Sequence, residues 1–488
     1  MTGHCYLNLK RMKSILFLLA FQLAASLKFA HAKSSSKLSK PNLRQISELK
    51  MSDDSGGAAV LASAPAIKGG ESTIASSTFN LAKSVVGCGV LSLPSGIAFF
   101  SDAPGAVLPA SIICAAMGVL SGYSFSIIGR ACEQHGATSF QDVWAKSVDE
   151  KSAWMLSASI TTMCFLACLA YSIIIGDSFS ALASTFQLPP LLATRGNVIV
   201  ALTVAILYPL CSLKSLAALS PFSLMGLGGT LYTALFMAIR LFDGSYAKGG
   251  RFFEKLSETA RPVFGTRGPW AFNNNMWVLI SMLSTSFIAH YNAPKFYSDL
   301  KEPSMANFNK VVKNSFAIAI CAFVVMMSMG FLTFGGTTAG FVLNNYAGND
   351  MLATLARLAI GLALLTGYPF TFTAMRDGVF DLAKTNDTAR AKWTRPLNIA
   401  LISVVTVLAV LLKDVGFVVS LSGALFGTLL MFMVPSYMNI QNIKKRVGTA
   451  LTKNNKMEIA FNYFTLVLGS AMGALGVGIS VLSQMGRL

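Results

Sequence analysis

From Ile74 to Phe100 the chain is apolar for longer than the ~20 residues a helix needs to cross a bilayer, yet Gly87-Cys88-Gly89 interrupts its middle. A glycine inside a helix costs about 1 kcal/mol relative to alanine, and a close pair invites unwinding. In hydrocarbon, unwound backbone persists only where protein buries it or where it lines a cavity. The stretch Phe79–Pro94, F-N-L-A-K-S-V-V-G-C-G-V-L-S-L-P, therefore leaves two readings. Either the glycines let two helices approach closely, or the break aims free N–H and C=O groups at a small zwitterion near the membrane midplane.

Ten more apolar segments follow, near 105–129, 153–183, 197–213, 216–242, 276–294, 312–335, 351–375, 396–412, 415–440 and 459–484. With 53% hydrophobic and 12% charged residues and a mean hydropathy of +0.59, the sequence predicts an all-α membrane protein of about 11 transmembrane helices. The net charge of +18 does not mark a nucleic-acid partner. Its basic residues lie in alternate short loops, such as Lys295 to Lys313, Arg376 to Arg395 and Lys444 to Lys456, which is the pattern of membrane topology. That pattern predicts an inside N-terminus and an outside C-terminus. No metal or other cofactor is expected, because the eight cysteines form no CxxC and no Cys/His metal spacing. Cys164 and Cys168 share a helix face as packing residues. No HExxH, GxSxG or GxxxxGK[ST] is present, which argues against an enzyme and against an ATP-driven pump.

Residues 1–50 form a separate unit. Lys10, Arg11 and Lys13 precede an apolar run from Ser14 to Leu27 and then Ala30-His31-Ala32, the layout of a signal peptide. Residues 33–47 are rich in Ser and Lys and lack acids, as in organelle transit peptides. This unit is a targeting segment, or it precedes an original start at Met51. Residues 51–71 read as a short polar tail, and 72–485 as the transmembrane domain. The leader suggests an endomembrane, vacuole or organelle envelope, with the plasma membrane open as well.

The sixth apolar segment mirrors the first. In Trp277–Leu300, Ser284, Thr285 and Ser286 crowd the middle and His290, Asn292 and Pro294 interrupt the end. Hydroxyls can satisfy backbone groups that a break sets free. Polar interruptions at corresponding positions of two halves point to an inverted-repeat transporter with its site between them. The alternative is ordinary Ser/Thr packing.

With these motifs in view, the chain resembles the amino acid/auxin permease family, which includes vacuolar and sodium-coupled neutral amino acid transporters. The matching stretches are Phe79–Pro94, F-I-A-H-Y-N-A-P-K-F-Y-S-D-L at 287–300, G-F-L-T-F-G at 330–335, Y-P-F-T-F-T-A-M-R at 368–376, and the tenth segment with Gly423 and Pro435. The resemblance covers about residues 72–485. It implies a leucine-transporter-type fold, a 5+5 inverted repeat plus one extra helix. It also implies an amino acid substrate held at the broken first and sixth helices. By that analogy, N–H groups at Gly87, Cys88 and Gly89 take the carboxylate and Ser84 adds a hydroxyl. Carbonyls near Ser284, Thr285 and Phe287 take the ammonium.

One departure stands out. Sodium-coupled relatives carry Asn where this chain has Lys83, and Thr366 does not clearly share the register of their eighth-helix threonine. A lysine ammonium would repel a cation, which leaves proton coupling or exchange. The other reading of Lys83 is that it snorkels to the headgroups. His290 suits a proton relay or an interfacial hydrogen bond. Asp177 reads as the polar end of the third segment, Arg376 as an interfacial anchor or gate contact, and Gly423/Gly427 and Gly469/Gly473 as close helix contacts. The sequon Asn386-Asp387-Thr388 falls inside and should carry no glycan. The function expected is secondary transport of amino acids, with an amino acid sensor of little net flux as the alternative. The expected partners are the substrate and the lipid bilayer; no nucleic acid and no protein partner is inferred.

Overall fold

The computed structural model describes residues 69–213, 222–265, 274–448 and 451–485. The expected targeting segment and residues 51–68 of the tail lie outside them. The described chain is almost wholly helical; its isolated bridges join Ser72 to Leu300 and Val263 to Gly335.

The first apolar segment is two helices, α1 (Ile74–Val85) and α2 (Leu93–Phe100). They are bent by 43° around a 3₁₀ turn, Cys88–Ser92. Thr73 starts α1 by accepting the Ser76 N–H. Pro94 sits in the first turn of α2, where its missing N–H costs nothing. The second and third segments are α3 (Val107–His135) and α5 (Trp154–Thr185), joined through the short amphipathic α4 (Phe140–Ser147). The fourth is α6 (Arg195–Leu202), a π turn, and α7 (Tyr208–Cys211) with Pro209; the fifth is α8 (Phe222–Phe242).

The sixth segment breaks like the first, into α9 (Met276–Ser286) and α10 (Ala293–Ser298) with Pro294 in the first turn. Then come α11 (Met305–Phe334), α12 (Met351–Leu382) and α13 (Asp387–Leu411). The tenth segment is α14 (Val415–Ser422), two π turns and α15 (Val434–Val447); the eleventh is α16 (Lys453–Gln484). Among the described residues, seven helices are long and apolar enough to cross a membrane, or eight with the bent pair α1/α2. The fourth and fifth segments give shorter apolar helices.

The packing shows the repeat directly. Adding or subtracting five from each segment number maps one set of helix contacts onto another. One packs on seven and six on two; five on eight and ten on three; four on eight and nine on three; five on seven and ten on two. Two–seven and three–eight map onto themselves. The ends obey the same exchange. The backbone before α1 pairs with the end of α10: the Gly70 N–H donates to Leu300 O at 2.9 Å and Lys301 N–H to Ser72 O at 3.0 Å. At the other face the backbone before α9 pairs with the end of the first segment, Gly265 N–H to Asp102 O at 3.0 Å. The start of each half's first segment thus meets the end of the other half's first segment, so the first and sixth segments run in opposite senses across the bundle.

The third segment departs from expectation at its end. Asp177 does not terminate it; α5 continues two turns to Thr185, because the Arg195 guanidinium and the Asn344 amide satisfy the buried carboxylate inside the fold.

Candidate functional site

The two breaks face each other across a cavity of about 130 Å³. In the first break, Val86 N–H donates to Ala82 O and Gly87 N–H to Val85 O, both at 2.8 Å, and Gly87 is extended (φ −91°, ψ −173°). The 3₁₀ turn then opens at Cys88, so its leading N–H groups have no partner within the turn. The carbonyls freed beyond it are taken locally: Ser92 Oγ donates to Gly89 O and Ser95 Oγ to Ser92 O, each at 2.7 Å. A Cβ at Gly87 would meet nothing within 4 Å, and one at Gly89 only Ser286 Oγ at 3.3 Å. Gly87 therefore faces the cavity and is not a helix-packing glycine.

In the second break, α9 stops at Ser286 and the Ile288 N–H reaches back to Thr285 O at 3.4 Å. Gly423 and Gly427 of the tenth segment hold α9 in place. A Cβ on Gly423 would collide with Ser281 O and lie 2.6 Å from Thr285 Oγ1; one on Gly427 would lie 2.9 Å from Ser284 O. That close approach lets Thr285 Oγ1 donate to Val419 O at 2.6 Å.

Among the expected substrate residues, the cavity brings together Ser84, Gly87, Gly89 and Thr285. The Cys88 backbone opens the 3₁₀ turn between the two glycines; its side chain lies outside the described residues. Ser284 and Phe287 are elsewhere, both fully buried. Ser284 Oγ donates to Ile280 O at 2.9 Å, while Phe287 packs edge-on against Phe323 and its carbonyl accepts from Ser121 Oγ at 3.4 Å.

Lys83 sits in the last turn of α1, partly buried, beside cavity-lining Ser84 and not itself in the lining. His290 is fully buried against α3. Its Nε2 lies 3.1 Å from both Ser124 Oγ and Ser121 O, and Nδ1 has no partner among the described residues. A carbonyl only accepts, so Nε2 carries the proton and Nδ1 is the open acceptor.

Sequence reasoning missed the far wall. Cys164 and Tyr171 of α5, Tyr291, Thr371 of α12 and Ser422 also line the cavity. Thr371 lies inside the Tyr368–Arg376 motif, where attention to Thr366 pointed elsewhere; Thr366 donates its hydroxyl to Leu362 O and Ala363 O. No Asp, Glu, Lys, Arg or His is among the lining residues, so the cavity offers hydroxyls, backbone and apolar surface without a formal charge. The cysteines outside the leader whose side chains are described are free, and no cluster of metal-ligating side chains occurs among the described residues.

The chain matches the family model for "Transmembrane amino acid transporter protein" over residues 70–482. It is 24% identical over 427 residues to "Putative sodium-coupled neutral amino acid transporter 11" of Danio rerio, covering 85% of this chain and 89% of that one. It is 22% identical over 411 residues to Vacuolar amino acid transporter 2 of Saccharomyces cerevisiae, covering 80% and 81%. Among solved structures it resembles MhsT in complex with L-phenylalanine, with a TM-score of 0.46 and 13% identity over 85% of this chain and 99% of that one. A Na⁺-coupled sialic acid symporter gives 0.48 and 14% over 96% and 98%. With a family model spanning both broken helices and every segment between them, the chain belongs to the transmembrane amino acid transporter family.

Proposed function

We propose that the chain is a secondary transporter that carries a small neutral amino acid by alternating access, with proton coupling or exchange in place of sodium. The observation that carries this reading is the uncharged cavity bounded by both helix breaks. A zwitterion has no net charge, and its two ends can be met by backbone groups. A cationic substrate would enter a site with no counter-charge and lose its hydration uncompensated. The N–H groups at Cys88 and Gly89 and the Ser84 hydroxyl take the carboxylate. The carbonyls where α9 unwinds take the ammonium, with Thr285 fixing that backbone against Val419. The volume is about four waters' share of liquid, which suits a small side chain.

Lys83 and His290 are the coupling groups of this proposal. The Lys83 ammonium, one residue from the cavity wall, disfavours a bound sodium ion, and His290 Nδ1 is an open acceptor inside the fold. The targeting-like leader and the vacuolar relative support an endomembrane location.

The test is uptake of labelled neutral amino acids into liposomes holding the full chain, under a proton gradient, a sodium gradient or neither. Uptake that follows protons or exchanges without either gradient, with a sodium response appearing in Lys83→Asn, supports the proposal. Sodium dependence of the unaltered chain sinks the role of Lys83. Binding without uptake under every condition replaces the transporter with a sensor.

A further inference from the structure

The exposed side of α1 is of two kinds. Its buried face, Ser77, Thr78, Leu81, Ala82 and Val85, packs on α11, where Ser315 Oγ donates to Thr78 O at 2.9 Å. Away from that face, Ala75 and Phe79 form one exposed line four residues apart, and Phe79 is 65% exposed. Ser76, Asn80 and Ser84 form a second exposed line, again four apart, with Lys83 half-buried at its edge. Consecutive residues of a helix point about 100° apart, so the apolar and polar lines run side by side along α1.

The polar line leads into the central cavity. Ser84 is part of the cavity lining, and so is Gly87, the next exposed residue beyond it. From Ser76 to Ser84 the line covers about 12 Å of helix, which joins the cavity to the end of α1 that the loop charges place inside. A phenylalanine ring is at home in hydrocarbon. Hydroxyls and an amide beside a lysine are not, and polar side chains at membrane depth face the bundle interior or water. Phe79 and Asn80 are neighbours at one depth and so face different media.

We infer that this polar line is one wall of the route by which substrate passes between the central cavity and the inner side, with Ser76 and Asn80 lining the route and Phe79 turned to lipid. The inference rests on the transport reading above and gives it a path. The hydroxyls and the amide can hydrogen-bond water and both ends of a zwitterion along the way, with no formal charge on the line itself.

The experiment compares how fast a charged, membrane-impermeant methanethiosulfonate labels Asn80→Cys and Phe79→Cys in the full chain held in lipid nanodiscs, over the labelling of the unaltered chain. The thiolate is the reactive form and needs water, so Asn80→Cys should label about tenfold faster or more. A saturating mixture of neutral amino acids should slow that labelling and leave Phe79→Cys unchanged. Ser76→Cys, one turn nearer the inner side, should behave as Asn80→Cys does. Equal rates at Phe79→Cys and Asn80→Cys overturn the inference, and so does a fast rate at Asn80→Cys that the mixture does not alter. A second variant, Asn80→Phe, narrows the route from a side chain outside the cavity lining. It should lose uptake into liposomes while still binding substrate; uptake at the rate of the unaltered chain overturns the inference as well. Failure of the transport reading looks different. Labelling contrast and its slowing by amino acids, with no uptake by the unaltered chain, strike the transporter and leave the polar line as the access path of a binding site.

Discussion

The same substitution at two glycines should give opposite signatures, and the contrast tests how the site is built. At Gly87 an alanine Cβ meets nothing within 4 Å, and the backbone is extended, which any L-residue adopts. Removing a glycine's freedom from the unfolded chain is worth about 0.4–1 kcal/mol, so Gly87→Ala should unfold no earlier than the unaltered chain. The added methyl sits at the cavity wall. One methylene too many in a fitted pocket costs roughly 10–200-fold in discrimination, so uptake of larger amino acids should fall by that order, and glycine uptake least. At Gly423 the Cβ collides with the Ser281 carbonyl and lies 2.7 Å from its carbon, so backbone must move. Overpacking of this kind costs about 1–3 kcal/mol, and separating α9 from the tenth segment also breaks the Thr285–Val419 hydrogen bond, worth about 1 kcal/mol. Gly423→Ala should therefore melt several degrees lower and lose uptake of every substrate alike. The assay pairs detergent thermal unfolding with liposome uptake of a size series of neutral amino acids. If Gly87→Ala melts as early as Gly423→Ala, or transports the whole series with unchanged selectivity, the opposed-break site is wrong.

Two further predictions concern the outer end. Arg240 makes a two-point pair with Asp350, whose side chain is fully buried, so Arg240→Ala strands a buried carboxylate and should cost about 3–5 kcal/mol, read as a drop of many degrees in the melting midpoint. Arg240→Lys should recover only part of that, because lysine lacks the planar fork. Burial opposes ionisation of Asp243, but hydrogen bonds from Ser245 and the Arg240 guanidinium outweigh it and hold the carboxyl below the usual carboxylate range. A depressed carboxyl adds stability above its unfolded value of about 3.9 and loses it as pH falls through the folded value. The melting gap between the unaltered chain and Asp243→Asn should thus be widest at neutral pH and close on acidification; a gap that widens in acid refutes the assignment.

The helical membrane fold was legible because its signals are strong and local: long apolar runs, and two polar interruptions five segments apart. The two breaks were legible where backbone carries them. Gly87 and Gly89 announce a break by their lack of side chains, and Thr285 sits in a hydroxyl cluster that fits a break as well as ordinary Ser/Thr packing. Side chains that reach the cavity from intact helices were not legible. Tyr171 lies on α5, a helix buried on most of its circumference, so no hydrophobic face tells which residues look inward. Phe287 shows the complementary failure: sequence locates a carbonyl at the break but not the ring, which turns away into the Phe316 and Phe323 stack. Asp177 resembled a helix end because a lone carboxylate in an apolar run normally marks one, and its partners lie 18 and 167 residues further along the chain.

The distribution of charge inside the bundle argues for selectivity by exclusion. Ion pairs gather at the two ends, Arg240–Asp350 and Arg195–Asp177 at one, Arg130–Glu458 and Arg390–Asp381 at the other. Between them the cavity wall holds hydroxyls, two tyrosines, a thiol and open backbone. On the proposed reading a zwitterion offsets its desolvation there with N–H and C=O contacts, whereas a cationic amino acid would bring a charge that the cavity wall does not balance. No single recognition residue has to read the side chain's charge. Installing a carboxylate at Thr371, across the cavity from the break, should on this argument admit basic amino acids while weakening neutral ones. Competition of uptake by lysine against alanine in Thr371→Asp measures it, and unchanged preference for alanine would mean that charge is read somewhere other than this wall.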